Sequence, residues 1–264
     1  MHTTHLTATL LGLLLSGLGL AGEPANQAKP NNDPATPEVI QQALQADGRS
    51  DADVQRDARS RPDVTLALLD IGPGDVVFDV FGGGGYYSEL IARVVGEDGK
   101  VYLHNNQAYR NFVSKPLAER MAANTLPQLV QHDREVDDLG MAPGSLDAAM
   151  IIMSYHDLYF DDKENGWPQI DHQHFMQQIH AGLKTGGRFM IVDHQANPGR
   201  AALDAKTLHR IEKDHAIKQI EAIGFKLVAE SAVLANPDDD KTTSVFAPDT
   251  RGKTDRFIAV FEKI

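Results

Sequence analysis

Residues Val76 to Phe81 (VVFDVF) form a continuous apolar run interrupted only by Asp79, and four glycines, Gly82 to Gly85, follow at once. A run without polar alternation belongs to a strand covered on both faces. Glycines at its exit let the backbone approach a neighbouring group closely. Beyond them, Tyr87, Leu90, Ile91, Val94 and Val95 recur at helical spacing up to Gly96. Strand, glycine turn and helix in that order make the opening unit of an α/β sheet.

The alternation continues downstream. Lys100 to His104, Gln128 to Gln131, Asp147 to Met153, Arg188 to Asp193, Lys226 to Ser231 and Arg256 to Phe261 read as further strands. Helices are predicted over Pro62 to Leu69, Phe175 to Leu183, stopped by Gly186-Gly187, and His209 to Ile223, capped by Gly224. Strands separated by helices demand right-handed parallel crossovers, hence a doubly wound sheet. No helix separates the last two strands, so an antiparallel pair is expected at one edge.

Composition narrows the function. The 264 residues carry 25 Lys and Arg against 37 Asp and Glu, a net charge of −12. No basic stripe is visible, which argues against nucleic acid as a partner. With no cysteine, disulfides, thiolate metal sites and cysteine nucleophiles are excluded. Leu10 to Gly22 is apolar, ends in small residues and is shorter than a membrane span, so 1–22 is expected to be a cleaved signal peptide. That reading places the protein in the periplasm or outside the cell, with no stable membrane span after cleavage. Residues 23–35, rich in Pro and Asn, read as a flexible leader. The folded domain is expected over 36–264, opening at the Thr36-Pro37 helix start.

Glycines between a strand and a helix N-terminus form a ligand cradle at the carboxyl edge of the sheet. A dinucleotide fingerprint fails: counting from Gly83 gives Gly85 and then Ser88 where a third glycine belongs, and Asn105 and Asn106 stand where a ribose-binding acid is expected. No Gly-Lys-Ser/Thr follows, so a P-loop is also excluded.

The order GPGDVVFDVFGGGGYYSELIARVVGEDGKVY, LVQHD, LDAAMIIMSYHDLY and LKTGGRFMIVDH, closed by a terminal strand pair, resembles a class I S-adenosylmethionine-dependent methyltransferase. It is most similar to a group of predicted, often exported bacterial methyltransferases with Gly-Gly-Gly-Tyr-Tyr in this turn. The resemblance runs from about Arg56 to Ile264 and implies a Rossmann-like, mostly parallel seven-stranded sheet whose last strand is inserted antiparallel. It implies S-adenosylmethionine as cofactor and a small-molecule or envelope acceptor. Asp79 then matches the acid near the methionyl amino group, and Gly83 and Gly85 match the glycines around the methionyl and ribose portions. Asn105 stands at the ribose position and Asp133 near the adenine amino group. Two departures are Phe81 in place of the motif's first glycine and Asn105 in place of an acid. An inactive periplasmic binding protein of the same fold is the alternative reading.

On the acceptor side, Ser154-Tyr155-His156-Asp157 follows the fourth strand. His156 is the first candidate for a general base, with Asp157 orienting it. His194 is a second candidate. His209, Glu212 and His215 share one predicted helix, which supplies too few ligands, so no metal site is expected. Arg49, Arg56, Arg59 and Arg61 lie among acids and read as a salt-bridged surface, with gating of an anionic substrate as the other option. Arg251, Lys253 and Arg256 border a long polar stretch that is either a lid or a solvated excursion. Asp238 to Asp240 read as exposed acids.

Overall fold

A computed structural model describes Met1 and residues 33–264. The predicted signal segment lies almost wholly outside the described residues, as does the leader up to residue 32. Three helices lead in: α1 (Pro37–Gln45), α2 (Asp51–Ser60) and α3 (Pro62–Leu69). Ser50 caps α2 by accepting from the Asp53 N–H at 3.2 Å, and Pro62 opens α3. Just before α1 the Ala35 N–H donates to the Ile71 carbonyl at 2.8 Å.

Alternation then sets in: β1 (Val76–Val80), α4 (Tyr86–Val95), β2 (Lys100–Asn105), α5 (Gln107–Ala123), β3 (Leu129–Asp133) and β4 (Leu146–Ile152). After a 3₁₀ turn at His156–Tyr159 come α6 (His172–Gly182), β5 (Leu183–His194), α7 (Ala205–Leu208), α8 (Lys213–Glu221), β6 (Phe225–Ser231) and β7 (Arg256–Lys263). The strands form one sheet in the order β3-β2-β1-β4-β5-β7-β6, with β7 antiparallel to both neighbours and the other described pairings parallel. The expected terminal pair is present, with β7 inserted antiparallel beside β5, as the resemblance implies, and β6 at the edge. Order reverses between β1 and β4, which opens the crevice of a doubly wound sheet at their carboxyl ends.

Both faces of the sheet are dry. Val77 points with Leu90, Ile91 and Val101 into one core, while Phe78 and Val80 point with Phe175, Phe189 and Phe261 into the other. Period-two alternation with apolar residues on both faces explains why β1 reads as an unbroken run. Asp147, buried in β4, accepts from the Val76 N–H at 2.9 Å and from Lys184 at 2.7 Å, tying β1, β4 and β5 at their amino ends.

Two helix boundaries differ from expectation. Helix α6 ends at Gly182, and Gly186-Gly187 lie within β5. His209 and Glu212 precede α8 rather than belonging to it, and His209 takes a left-handed φ of 55°. Glu212 turns back to accept from the Ala201 N–H at 2.7 Å. Backbone pairing of Ile211 with His194 and Ala196 holds this segment extended and overrides its helical pattern.

A buried cation helps to fold the polar stretch between β6 and β7 back on the body. Arg210, fully buried, grips Asp239 at 2.8 and 3.1 Å and donates to the carbonyls of Thr243 and Gln195, both at 3.1 Å. Asp239 of the acidic trio is therefore a structural partner and not a free acid. Breaking a buried pair of this kind costs about 3–5 kcal/mol because the partner charge stays uncompensated. Arg210→Ala should lower stability by that amount in urea unfolding, and Arg210→Lys, lacking the planar fork, should recover only a minor part.

Candidate functional site

Strand β1 carries Asp79 to the crevice. Its carboxylate is buried, accepts from Ser88 Oγ at 2.5 Å, and has no ion-pair partner among the described residues. Burial pushes it up to about 6, against the pull of Ser88 and of the Arg56 charge. A Cβ on Gly82 would sit 2.7 Å from Asp79 Oδ2, so only glycine lets the main chain pass over this carboxylate. Gly83 and Gly85 take left-handed φ values of 60° and 81°, and a Cβ on Gly85 would meet Leu103 at 2.6 Å. The turn is thus demanded by packing as well as by ligand approach.

Asn105 ends β2 opposite the turn. Its amide pairs with Gly83 in both directions: Oδ1 accepts from the Gly83 N–H at 3.0 Å, and Nδ2 donates to the Gly83 carbonyl at 3.0 Å. Asp133 ends β3 in register with Asn105, is exposed, and accepts from Gln131 at 2.8 Å. Phe81, itself at a left-handed φ of 53°, stacks on Tyr109 at 4.6 Å and on Phe175 at 5.5 Å. Helix α5 lies over the turn, with Val113 and Pro116 facing Gly83 and Gly84 and Arg120 bonded to the Gly84 carbonyl, Glu89 and Asp53.

Across the crevice, the 3₁₀ turn presents His156 and Asp157. His156 Nδ1 lies 2.7 Å from Asp193 Oδ1, its backbone N–H donates to Asp193 Oδ2 at 2.8 Å, and its Nε2 is 3.2 Å from Asp157 Oδ1. Burial opposes a charged ring, but the Asp193 and Asp157 carboxylates outweigh it and push the imidazole up to about 10. Tyr109 donates to the other Asp157 oxygen at 2.5 Å, and His209 Nδ1 lies 3.7 Å from Asp157 Oδ1. Both His156 nitrogens are therefore taken by carboxylates. Tyr155 is fully buried and bonds to His172 at 2.7 Å, which makes it a packing residue. His194 Nδ1 contacts Thr254 Oγ1 at 2.7 Å, and burial, then the His156 charge, holds His194 well below the usual range.

The arginines separate into two groups. Arg49 forms a bidentate pair with Asp57 at 2.7 Å, and Arg61 pairs with Asp63. Arg56 and Arg59, one turn apart on α2, instead meet Arg251 and Arg256 around a cavity of about 450 Å3 that also touches His194 and Phe246 and has no acid in its lining. Arg56 lies 4.1 Å over the Tyr86 ring, just past the glycine turn. Arg256 donates to the Arg59 carbonyl at 2.6 Å, and its Nε is buried with no hydrogen-bond partner among the described residues. Sequence spacing shows Arg56 and Arg59 on one helical face, but only the fold brings the pair from the β6–β7 stretch to them.

No protein-family model matches this sequence, and no curated protein does. Solved structures do match in shape. A SAM-dependent methyltransferase from Aquifex aeolicus superposes with a TM-score of 0.59 at 16% identity, over 87% of this chain and 99% of its own. A chain from the complex of the Haloferax volcanii Trm112 methyltransferase activator with a putative methyltransferase gives 0.56 at 16%, over 80% and 92%. An arsenic(III) S-adenosylmethionine methyltransferase from Chlamydomonas reinhardtii gives 0.52 at 13%, over 87% and 74%. The fold is that of a class I methyltransferase.

S-adenosylmethionine is the group this methyltransferase fold implies. At its amino-acid end the residues fit: Asp79 is a buried carboxylate without a counter-ion, and the Gly82 main chain is kept bare above it. At the ribose end Asn105 is buried with its amide paired both ways to Gly83, so hydroxyls could be held there only if that pair opens.

An acid raised from 3.8 to about 6 on folding binds more protons folded than unfolded, so stability falls as pH rises through that window. Asp79→Asn should therefore raise stability at pH 7 by roughly 2–3 kcal/mol and flatten that fall, as read by thermal unfolding across the pH range. No gain at neutral pH would show the carboxylate to be unstrained.

Proposed function

We propose that this chain is an S-adenosylmethionine-dependent methyltransferase whose acceptor is a small anionic molecule. The observation that carries the reading is the buried, counter-ion-free Asp79 beneath a glycine turn at the sheet's switch point, beside an arginine-lined cavity. When bound, the sulfonium group supplies an electrophilic methyl for direct displacement by the acceptor. Asp79 holds the cofactor's ammonium, and the Gly82 to Gly85 main chain lies against the methionyl and ribose portions. Asn105 takes the ribose hydroxyls and Asp133 the adenine amino group.

Arg56, Arg59, Arg251 and Arg256 fix the acceptor through its anionic group. Displacement of this kind gains chiefly from alignment, which a bidentate guanidinium grip provides. Arg56 links the two halves, since its charge acts on Asp79 and on Arg256 alike. His156 and Asp157 form the polar wall of the crevice. With both ring nitrogens held, His156 orients Asp157 instead of taking the acceptor's proton. Export to the periplasm, read from the Leu10 to Gly22 run, belongs to the same proposal.

Calorimetric titration with S-adenosylmethionine and S-adenosylhomocysteine should show saturable heat. Gly83→Val, which adds a branched side chain at a left-handed φ, should abolish it. No heat from the wild-type protein at millimolar ligand overturns the methyltransferase reading. With tritiated cofactor, label should pass to carboxylate- or phosphate-bearing acceptors, and Arg256→Ala should cut that transfer by tenfold or more without altering cofactor binding. Transfer to neutral acceptors alone overturns the anionic assignment and leaves the methyltransferase reading standing.

A further inference from the structure

His156, Asp157 and His209 converge from two separate segments. His156 Nε2, Asp157 Oδ1 and His209 Nδ1 all lie within 4.8 Å of one another, with 3.2 Å from the first to the carboxylate and 3.7 Å from the third. A tetrahedral centre with metal–nitrogen and metal–oxygen bonds of ~2.0–2.2 Å spaces its ligands about 3.3–3.5 Å apart. The two measured edges bracket that spacing.

The ring nitrogens bear on the same point. Asp193 Oδ1 sits 2.7 Å from His156 Nδ1 and accepts its N–H. Nε2 faces Asp157 Oδ1 at 3.2 Å, where the second ring proton sits when the imidazole is charged and where a bound metal ion would displace it. A proton on Nε2 satisfies this one contact. It leaves His209 unexplained, because Nδ1 at 3.7 Å is beyond hydrogen-bond reach of Asp157. His209 nevertheless adopts a left-handed φ of 55°, and Phe160 at 5.3 Å and Phe246 at 4.7 Å hold its ring in place.

We propose that His156 Nε2, Asp157 Oδ1 and His209 Nδ1 form a binding site for a divalent first-row transition metal of the zinc type. The surrounding groups have the form such sites require. Asp193 fixes the tautomer of His156 in a carboxylate–histidine–metal relay, and Tyr109 anchors the second Asp157 oxygen. Three protein ligands leave further coordination positions for water or a bound ligand. The Arg256 cavity is adjacent, since Phe246 lines it and touches His209, and His194 lines it with its ring 6.0 Å from that of His156. An anion seated among the arginines is thus placed beside the metal. The site was invisible to helical spacing because its ligands come from the β4 exit and from the extended segment before α8.

Binding is read on the purified protein after chelator dialysis, by calorimetry with zinc chloride and by visible absorption with cobalt(II). One zinc ion per chain with micromolar or tighter affinity and a tetrahedral cobalt spectrum are expected. His209→Ala, at a half-buried position that tolerates truncation, should weaken zinc binding about 100-fold, and Asp193→Asn about tenfold. His215→Ala, on α8 outside the cluster, should leave it unchanged. Circular dichroism confirms that each variant is folded. Absence of zinc binding in the wild-type protein, or affinity undiminished in folded His209→Ala, overturns the site and leaves a shared proton between His156 and Asp157 as the occupant. Neither result bears on S-adenosylmethionine binding, which is titrated separately.

Discussion

A bare carboxylate in a dry place organises this molecule. Asp79 lies at the exit of the central strand, with only the hydroxyl and backbone N–H of Ser88 as hydrogen-bond partners among the described residues and glycine main chain crossing above it. Burial of such a group opposes folding, and a fold retains it where a ligand cation completes the pair. From this constraint follows the glycine at position 82, while the packing of Leu103 and Arg120 requires the left-handed Gly85 that carries the chain into α4. The sheet's strand order puts the same point at the switch between β1 and β4, so architecture and electrostatics select one crevice.

Two regions of opposite character lie near the switch point. One is peptide and carboxylate: the glycine turn, the buried Asp79 and Asn105, and the exposed Asp133. The other gathers four arginines in a protein of net charge −12 and keeps acids out of the cavity lining. Concentrating like charge against the overall balance costs repulsion, which an anionic ligand relieves. The carboxylate–imidazole cluster of Asp193, His156 and Asp157 has its geometry set by paired strands β4 and β5 and by Tyr109 from α5.

The local pattern made β1, its glycine turn and the alternation around it legible in the sequence, because β1 and β4 are short apolar runs bounded by turn residues. The resemblance likewise supplied the inserted last strand. What stayed hidden depends on long-range pairing. The segment at His209 has helical spacing, yet backbone bonds from Ile211 to β5 keep it extended. Arg56 and Arg251 are nearly 200 residues apart in sequence and share a cavity because the β6–β7 stretch, held in part by Arg210 and Asp239, folds back on the body. Charge pattern alone reads Arg49 and Arg56 alike, whereas the structure gives the first a carboxylate and the second an aromatic face.

Amide hydrogen exchange of residues 79–105 with and without saturating S-adenosylhomocysteine tests the central claim most directly. The account requires slower exchange across Gly82 to Gly85 as ligand replaces solvent, together with altered exchange at Asn105 as its amide leaves Gly83. Identical exchange in this segment with and without ligand would contradict it.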